Sequence, residues 1–103
     1  MSIQSRLNSE DGELVITVEG RFDYSKHQDF RCSYKDQAID GMLLVLDLSA
    51  AEYMDSSALG MMLLLKEHAE KSQARDLVIR RPSPAILKVL EVANFDKLIK
   101  IES

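Results

Sequence analysis

From Met42 to Leu48 the chain reads Met-Leu-Leu-Val-Leu-Asp-Leu, five apolar residues in a row before Asp47. A strand with one wet face cannot carry such a run, because successive side chains point to opposite sides of a sheet. Its length suits a central strand covered on both faces. Beyond Asp47-Leu48-Ser49 lies a small polar knot, Met54-Asp55-Ser56-Ser57-Ala58-Leu59-Gly60, and then a second apolar block from Met61 to Leu65. A polar knot between two hydrophobic elements marks a turn from buried strand into helix. Two hydroxyls and a carboxylate at that turn are placed to act on something outside the fold.

The remaining chain supplies partners for these two elements. Ile3, Ser5 and Leu7 alternate with polar neighbours, Glu10-Asp11-Gly12 is turn chemistry, and Leu14, Ile16 and Val18 resume the alternation up to Gly20. That pattern predicts two paired strands. Arg21 to Ser25 reads as a transition in which Asp23 or Ser25 caps a helix. Phe30, Tyr34 and Ala38 then give a narrow stripe over a helix from about Lys26 to Ile39, ended by Asp40-Gly41. The block Leu59 to Leu65 predicts a helix from about Ser57 to Ser72 whose first turns are buried on more than one side. Leu77-Val78-Ile79 is a short buried strand. Ser83-Pro84 is a strong helix start, since serine caps and proline suits the first helical position. Asn94 ends that helix with Phe95 packing back, and Leu98, Ile99 and Ile101 form a last edge strand. The predicted order is β-β-α-β-α-β-α-β, an α/β domain over residues 1–103 with a right-handed parallel crossover at its centre.

Composition narrows the functional classes. In 103 residues, 46% are apolar, 29% are charged, and the net charge is −4. A mildly acidic chain argues against nucleic acid or an anionic membrane as partner. The lone Cys32 cannot form an internal disulfide, and no Cys/His spacing reads as a metal site. No apolar stretch approaches the ~18 residues of a membrane span, and the start lacks a secretory pattern. A cytoplasmic protein is expected.

Four segments together carry a family likeness: Gly20-Arg21-Phe22-Asp23, the strand ending Asp47-Leu48-Ser49, the signature Tyr53-Met54-Asp55-Ser56-Ser57-Ala58-Leu59-Gly60, and the helix start Ser83-Pro84-Ala85. Over nearly the whole chain they resemble a STAS domain, specifically a single-domain bacterial anti-sigma factor antagonist (an anti-anti-sigma factor). The resemblance implies the STAS (SpoIIAA-like) α/β fold, a small mixed β-sheet with helices packed on it. It implies that the serine after the aspartate, here Ser56, is phosphorylated by an anti-sigma factor or antagonist-binding serine protein kinase. A PP2C-type phosphatase would remove the phosphate. The unphosphorylated form would bind the kinase-like partner and free whatever that partner was holding. Asp23, Ser25, Met54, Asp55, Ser57, Ala58 and Gly60 are the expected partner-binding residues. No cofactor is implied, and the free chain is expected to be monomeric. One departure is visible: the family commonly has glycine where this chain has Ala58, at a point where a partner would approach. Alanine is the better helix former by about 1 kcal/mol, so the fold tolerates it.

Read from the residues alone, a hydroxyl at a helix start is as naturally a cap as a regulatory site. The resemblance selects regulation for Ser56 and leaves Ser57 as the cap. Asp55 either orients the Ser56 hydroxyl, contacts the partner, or is an ordinary turn carboxylate. Asp23 and Ser25 either cap their own helix or flank the same surface. An enzyme is the first rival, with Ser56 joined to His27 or His68 and an aspartate. But no Gly-x-Ser-x-Gly elbow and no Gly-rich phosphate loop occur, and His68 falls about three turns beyond Ser56. The second rival keeps the fold: a STAS adaptor subunit of a transporter or larger sensory complex, without a phosphoswitch.

Overall fold

The computed structural model of the chain describes residues 2–102. Strands β1 (Ile3–Asn8) and β2 (Glu13–Val18) form the pair that the alternation predicts, and the pairing is antiparallel, with Ile3 opposite Val18 and Asn8 opposite Glu13. After β3 (Gly20–Phe22), a 3₁₀ turn at Tyr24–Lys26 leads into α1 (His27–Cys32). There follow β4 (Leu43–Asp47), β5 (Ala51–Met54), α2 (Ser56–Lys71), β6 (Asp76–Arg80), α3 (Pro84–Val92), a 3₁₀ turn at Phe95–Lys97, and β7 (Lys100–Glu102).

The main sheet has the order β1-β2-β4-β6-β7, with β2, β4, β6 and β7 parallel. Each parallel step moves across the sheet in the same direction. Right-handed crossovers taken in one direction deposit every connection on one face. The three helices accordingly share a side, and Phe30, Met62, Leu65, Ile86 and Leu90 join Leu14, Ile16, Leu44, Leu46 and Ile79 in one core. The opposite face carries a smaller cluster, Val15, Val45 and Val78 with Leu43 against them, to which no helix contributes.

β4 is thus buried on both faces, as its sequence requires, but helices cover only one. The second cover is electrostatic. Arg80 bridges to Glu102 at 3.3 Å and to Glu13 at 3.5 Å. Because Arg80 pairs with Asp47, and Glu13 with Leu43, the second bridge must cross β4 over Val45. The aliphatic stem of an arginine shields apolar surface while its charged head stays with its partners. Val45 has 0% exposure.

Three expectations are corrected. The order contains two further strands: β3 and β5 form a separate parallel ribbon with Arg21 opposite Tyr53 and Phe22 opposite Met54. Strands of three and four residues are too short to show a period. The helix expected to reach Ile39 stops at Cys32, where the buried Ser33 hydroxyl donates back to the Phe30 carbonyl. Serine at such a point offers the backbone an alternative to continuing the helix. The first turns of α2 are not buried on several sides. Ala58, Met61, Met62, Leu65 and Ala69 form its inner face, while Leu63 and Leu64 are 43% and 60% exposed. With only one sheet face covered, α2 has a single side to bury. The start of α3 is as expected: the Ser83 hydroxyl accepts from the Ile86 N–H at 3.4 Å, and Pro84 opens the helix. Asn94 ends it in the left-handed region at φ 61°, with Phe95 buried.

Candidate functional site

The β3–β5 ribbon assembles the site. Its strands are parallel and end in register at Phe22 and Met54, so the next residues, Asp23 and Asp55, leave the same edge together. Phe22 and Met54 point inward, and Phe22 packs on Phe30 with ring centroids 5.1 Å apart. The alternate residues face out. There the Arg21 guanidinium lies 4.0 Å from the Tyr53 ring centre, a cation–π contact that ties the two strands on the wet side.

Both aspartates do the same local work. Each is extended, with φ −134° at Asp23 and −127° at Asp55, and each caps the turn or helix that follows. Asp55 Oδ1 accepts from the backbone N–H of Ser57 at 3.1 Å and of Ala58 at 3.2 Å, and from the Ser57 hydroxyl at 2.6 Å. Asp23 Oδ1 accepts from the Ser25 N–H at 3.1 Å and from the Ser25 hydroxyl, while Arg21 Nε donates to Oδ2 at 3.3 Å. The bond from the Ser57 hydroxyl does most to hold the Asp55 carboxyl below the usual carboxylate range; the Asp23 charge beside it pushes weakly the other way. Asp23 is lowered in the same manner, chiefly by the Ser25 hydroxyl.

This geometry reassigns roles within the knot. The cap of α2 is the Asp55 carboxylate, and Ser57 donates to that cap instead of being it. Asp55 therefore positions Ser57 and not Ser56. Ser56, the first residue of α2, is exposed, and its hydroxyl makes no hydrogen bond among the described residues. Asp23, Ser25, Ser57 and Gly60 retain accessible surface. Met54 and Ala58 do not face a partner: Met54 is buried and Ala58 has 0% exposure, its methyl directed into the core. Their effect on any contact is through packing beneath it. Sequence reasoning overlooked Arg21, Tyr53 and the exposed Tyr24, whose ring stacks on His27 at 4.2 Å. Arg21 and Tyr53 were visible as residues, but only the ribbon brings them together.

The histidines do not assemble a triad. His27 sits on Tyr24, with Nδ1 2.8 Å from the Tyr24 carbonyl. His68 packs against Tyr34 at 4.9 Å, and twelve helical residues place it about 18 Å along α2 from Ser56. No helix among the described residues is long and apolar enough to cross a membrane.

The family model described as "Mlab, STAS domain" matches residues 5–100. The chain belongs to the STAS-domain family. A STAS-domain containing protein of Pseudomonas aeruginosa is 44% identical over 101 residues, covering 98% of this chain and 99% of that protein. Among solved structures, the anti-sigma factor antagonist SpoIIAA in its unphosphorylated form superposes with a TM-score of 0.78 at 18% identity, over 98% of this chain and 88% of its own. An anti-sigma factor antagonist from Mycobacterium paratuberculosis gives 0.74 at 24% identity, over 98% and 86%. At these identities the likeness establishes the SpoIIAA-like STAS fold. The knot of this STAS domain lies beyond the carboxyl ends of parallel strands, where open α/β sheets place their binding sites.

Proposed function

We propose that this STAS domain is an anti-sigma factor antagonist. In this reading, reversible phosphorylation of Ser56 controls its binding to a serine-kinase or anti-sigma partner, and a PP2C-type phosphatase resets it. One observation carries the reading. Of the two hydroxyls at the start of α2, Ser57 is consumed by the Asp55 cap and Ser56 is left free and exposed. A kinase can reach Ser56 without dismantling the helix start.

The same geometry indicates how the phosphate acts. A phosphoryl group adds about −1.5 to −2 charges. The helix dipole ordinarily welcomes an anion at this end, but here Asp55 already occupies the Ser57 and Ala58 N–H groups, with Asp23 beside it. The modified knot becomes a concentrated negative, bulky surface on an unchanged fold. Moving a partner from almost fully bound to almost fully free takes about 5.5 kcal/mol of differential binding. A solvated charge supplies less than that, so steric exclusion at the centre of the contact is the main effect. The test uses Ser56→Ala and Ser56→Asp baits in native extract, followed by calorimetry with the purified partner. A partner that binds Ser56→Ala and is lost by Ser56→Asp is the expected result; equal binding of Ser56→Ala and of the chain phosphorylated at Ser56 refutes the switch.

A second reading, the constitutive adaptor of a transporter or sensory complex, draws on the exposed apolar side chains Leu63, Leu64 and Val92. A permanent subunit keeps such surface covered. Co-purification with a membrane complex that is indifferent to Ser56 substitution would establish it.

A further inference from the structure

A groove runs between the start of α2 and the outer side of α3. It measures about 430 Å³ and is lined by Leu59, Ala85, Lys88, Val89, Val92 and Ala93. Five of these are apolar, and Val92 stands 76% exposed at the last turn of α3. Lys88, the sixth, has no carboxylate within ion-pair distance among the described residues.

The groove adjoins the switch. Leu59 follows Ser56 by three residues, so the two are neighbours on the helix surface, about 4.5 Å apart along the axis. From the other side, α3 packs against β5, whose end is the knot. A specific protein interface covers about 800 Å² per partner, a patch of roughly 16 Å radius. A protein centred on Ser56 with an interface of that size therefore reaches Leu59, the wall of the groove that α2 supplies. Leu63 and Leu64 lie farther along α2, and Leu64 belongs to a different hollow, shared with Tyr34 and His68, whereas the groove begins at Leu59, one turn from Ser56.

We propose that this groove is the second anchor of the contact made at Ser56. It takes an aliphatic or aromatic side chain, accompanied by an acidic residue facing Lys88, from the same partner protein. The proposal rests on the Ser56 reading and deepens it. The anchor is separate from the phosphorylated residue, so it contributes to affinity in both phosphorylation states. Ser56 sets whether the contact forms, and the groove sets how tightly.

The probe is the purified protein that Ser56→Ala retains and Ser56→Asp releases, identified by mass spectrometry and titrated by calorimetry. Val92→Gln and Lys88→Glu alter exposed positions; unchanged melting temperature and circular dichroism establish that both variants are folded. Each should weaken binding about tenfold, the usual mark of an anchor residue. The ratio of Ser56→Ala to Ser56→Asp affinity should stay the same in each background, since separate sites add. Leu7→Gln, on the far edge strand, should bind like the parent. If Val92→Gln and Lys88→Glu bind like the parent while Ser56→Asp still releases the probe, the groove proposal falls and the Ser56 reading stands. If every protein retained by Ser56→Ala is equally retained by Ser56→Asp and by the chain phosphorylated at Ser56, the Ser56 reading falls and takes the groove's role with it. A concentration-dependent dimer of the unmodified chain that Val92→Gln abolishes assigns the groove to a second copy and overturns the proposal.

Discussion

Ala58→Gly puts the family's usual residue into the knot, and the structure separates its consequences for stability from those for binding. Ala58 is the third residue of α2 and has 0% exposure, so its methyl group belongs to the core beside Met61 and Met62. Deleting a buried methyl group costs about 0.8 kcal/mol. Glycine in a helix interior costs up to ~1 kcal/mol more than alanine, and less in a first turn. The sum is about 1–2 kcal/mol of destabilisation, because the backbone N–H that donates to Asp55 is retained. For a domain of this size that lowers the melting temperature by roughly 5–9 °C. Urea denaturation followed by circular dichroism measures it, with an unchanged slope showing that only stability moved. Partner affinity at a temperature where both proteins are folded should be unaltered, since the methyl group faces away from the contact. Two results refute the reasoning: a glycine variant as stable as the parent, or a folded glycine variant whose partner affinity changes severalfold.

Ser57→Ala removes the bond that does most to lower the Asp55 carboxyl, so carbon-detected NMR should show Asp55 titrating at higher pH in the variant. The sign follows from the depressed folded value. The stabilisation from ionised Asp55 is complete above the ordinary carboxylate pKa of about 3.9 and is lost as pH falls through the lowered folded pKa. The parent should therefore hold its helix start to lower pH than Ser57→Ala; coincident titrations would contradict the cap geometry. Asn94 holds φ 61°, so Asn94→Gly should leave stability nearly unchanged while Asn94→Val loses about 1–2 kcal/mol, read by thermal melting. Phe22→Ala should cost about 3–5 kcal/mol in denaturant titration, because the ring is fully buried against Phe30 beneath the ribbon. A loss below 1 kcal/mol would mean the ribbon is not anchored there.

Some of this architecture was legible because it is written in local patterns. The alternation of Ile3 to Leu7 and Leu14 to Val18 specifies the hairpin. The run before Asp47 specifies a strand with no wet face, and Ser83-Pro84 specifies where α3 begins. The stripe of Phe30, Tyr34 and Ala38 misled because spacing says which residues would share a face if a helix formed. It does not say whether the backbone continues past Ser33. The cap was misplaced for a related reason: at Asp55-Ser56-Ser57 three adjacent side chains can each satisfy the free N–H groups. Only the extended conformation of Asp55, held at the end of β5, decides among them.

By itself, the sequence determined a central strand buried on both sides, a polar knot after it, and two serines exposed to choice at the start of a helix. The tertiary structure decided that the second face of the strand is covered by the Glu13–Arg80–Glu102 bridges, because a sheet wound in one direction leaves its helices on one side only. It also decided that Asp23 and Asp55 stand together, although 32 residues separate them in the chain. That proximity comes from the register of two short parallel strands, and register is a relation between segments that neither segment's own pattern contains. At the end of β5 the extended Asp55 occupies the cap of α2 and leaves the Ser56 hydroxyl free.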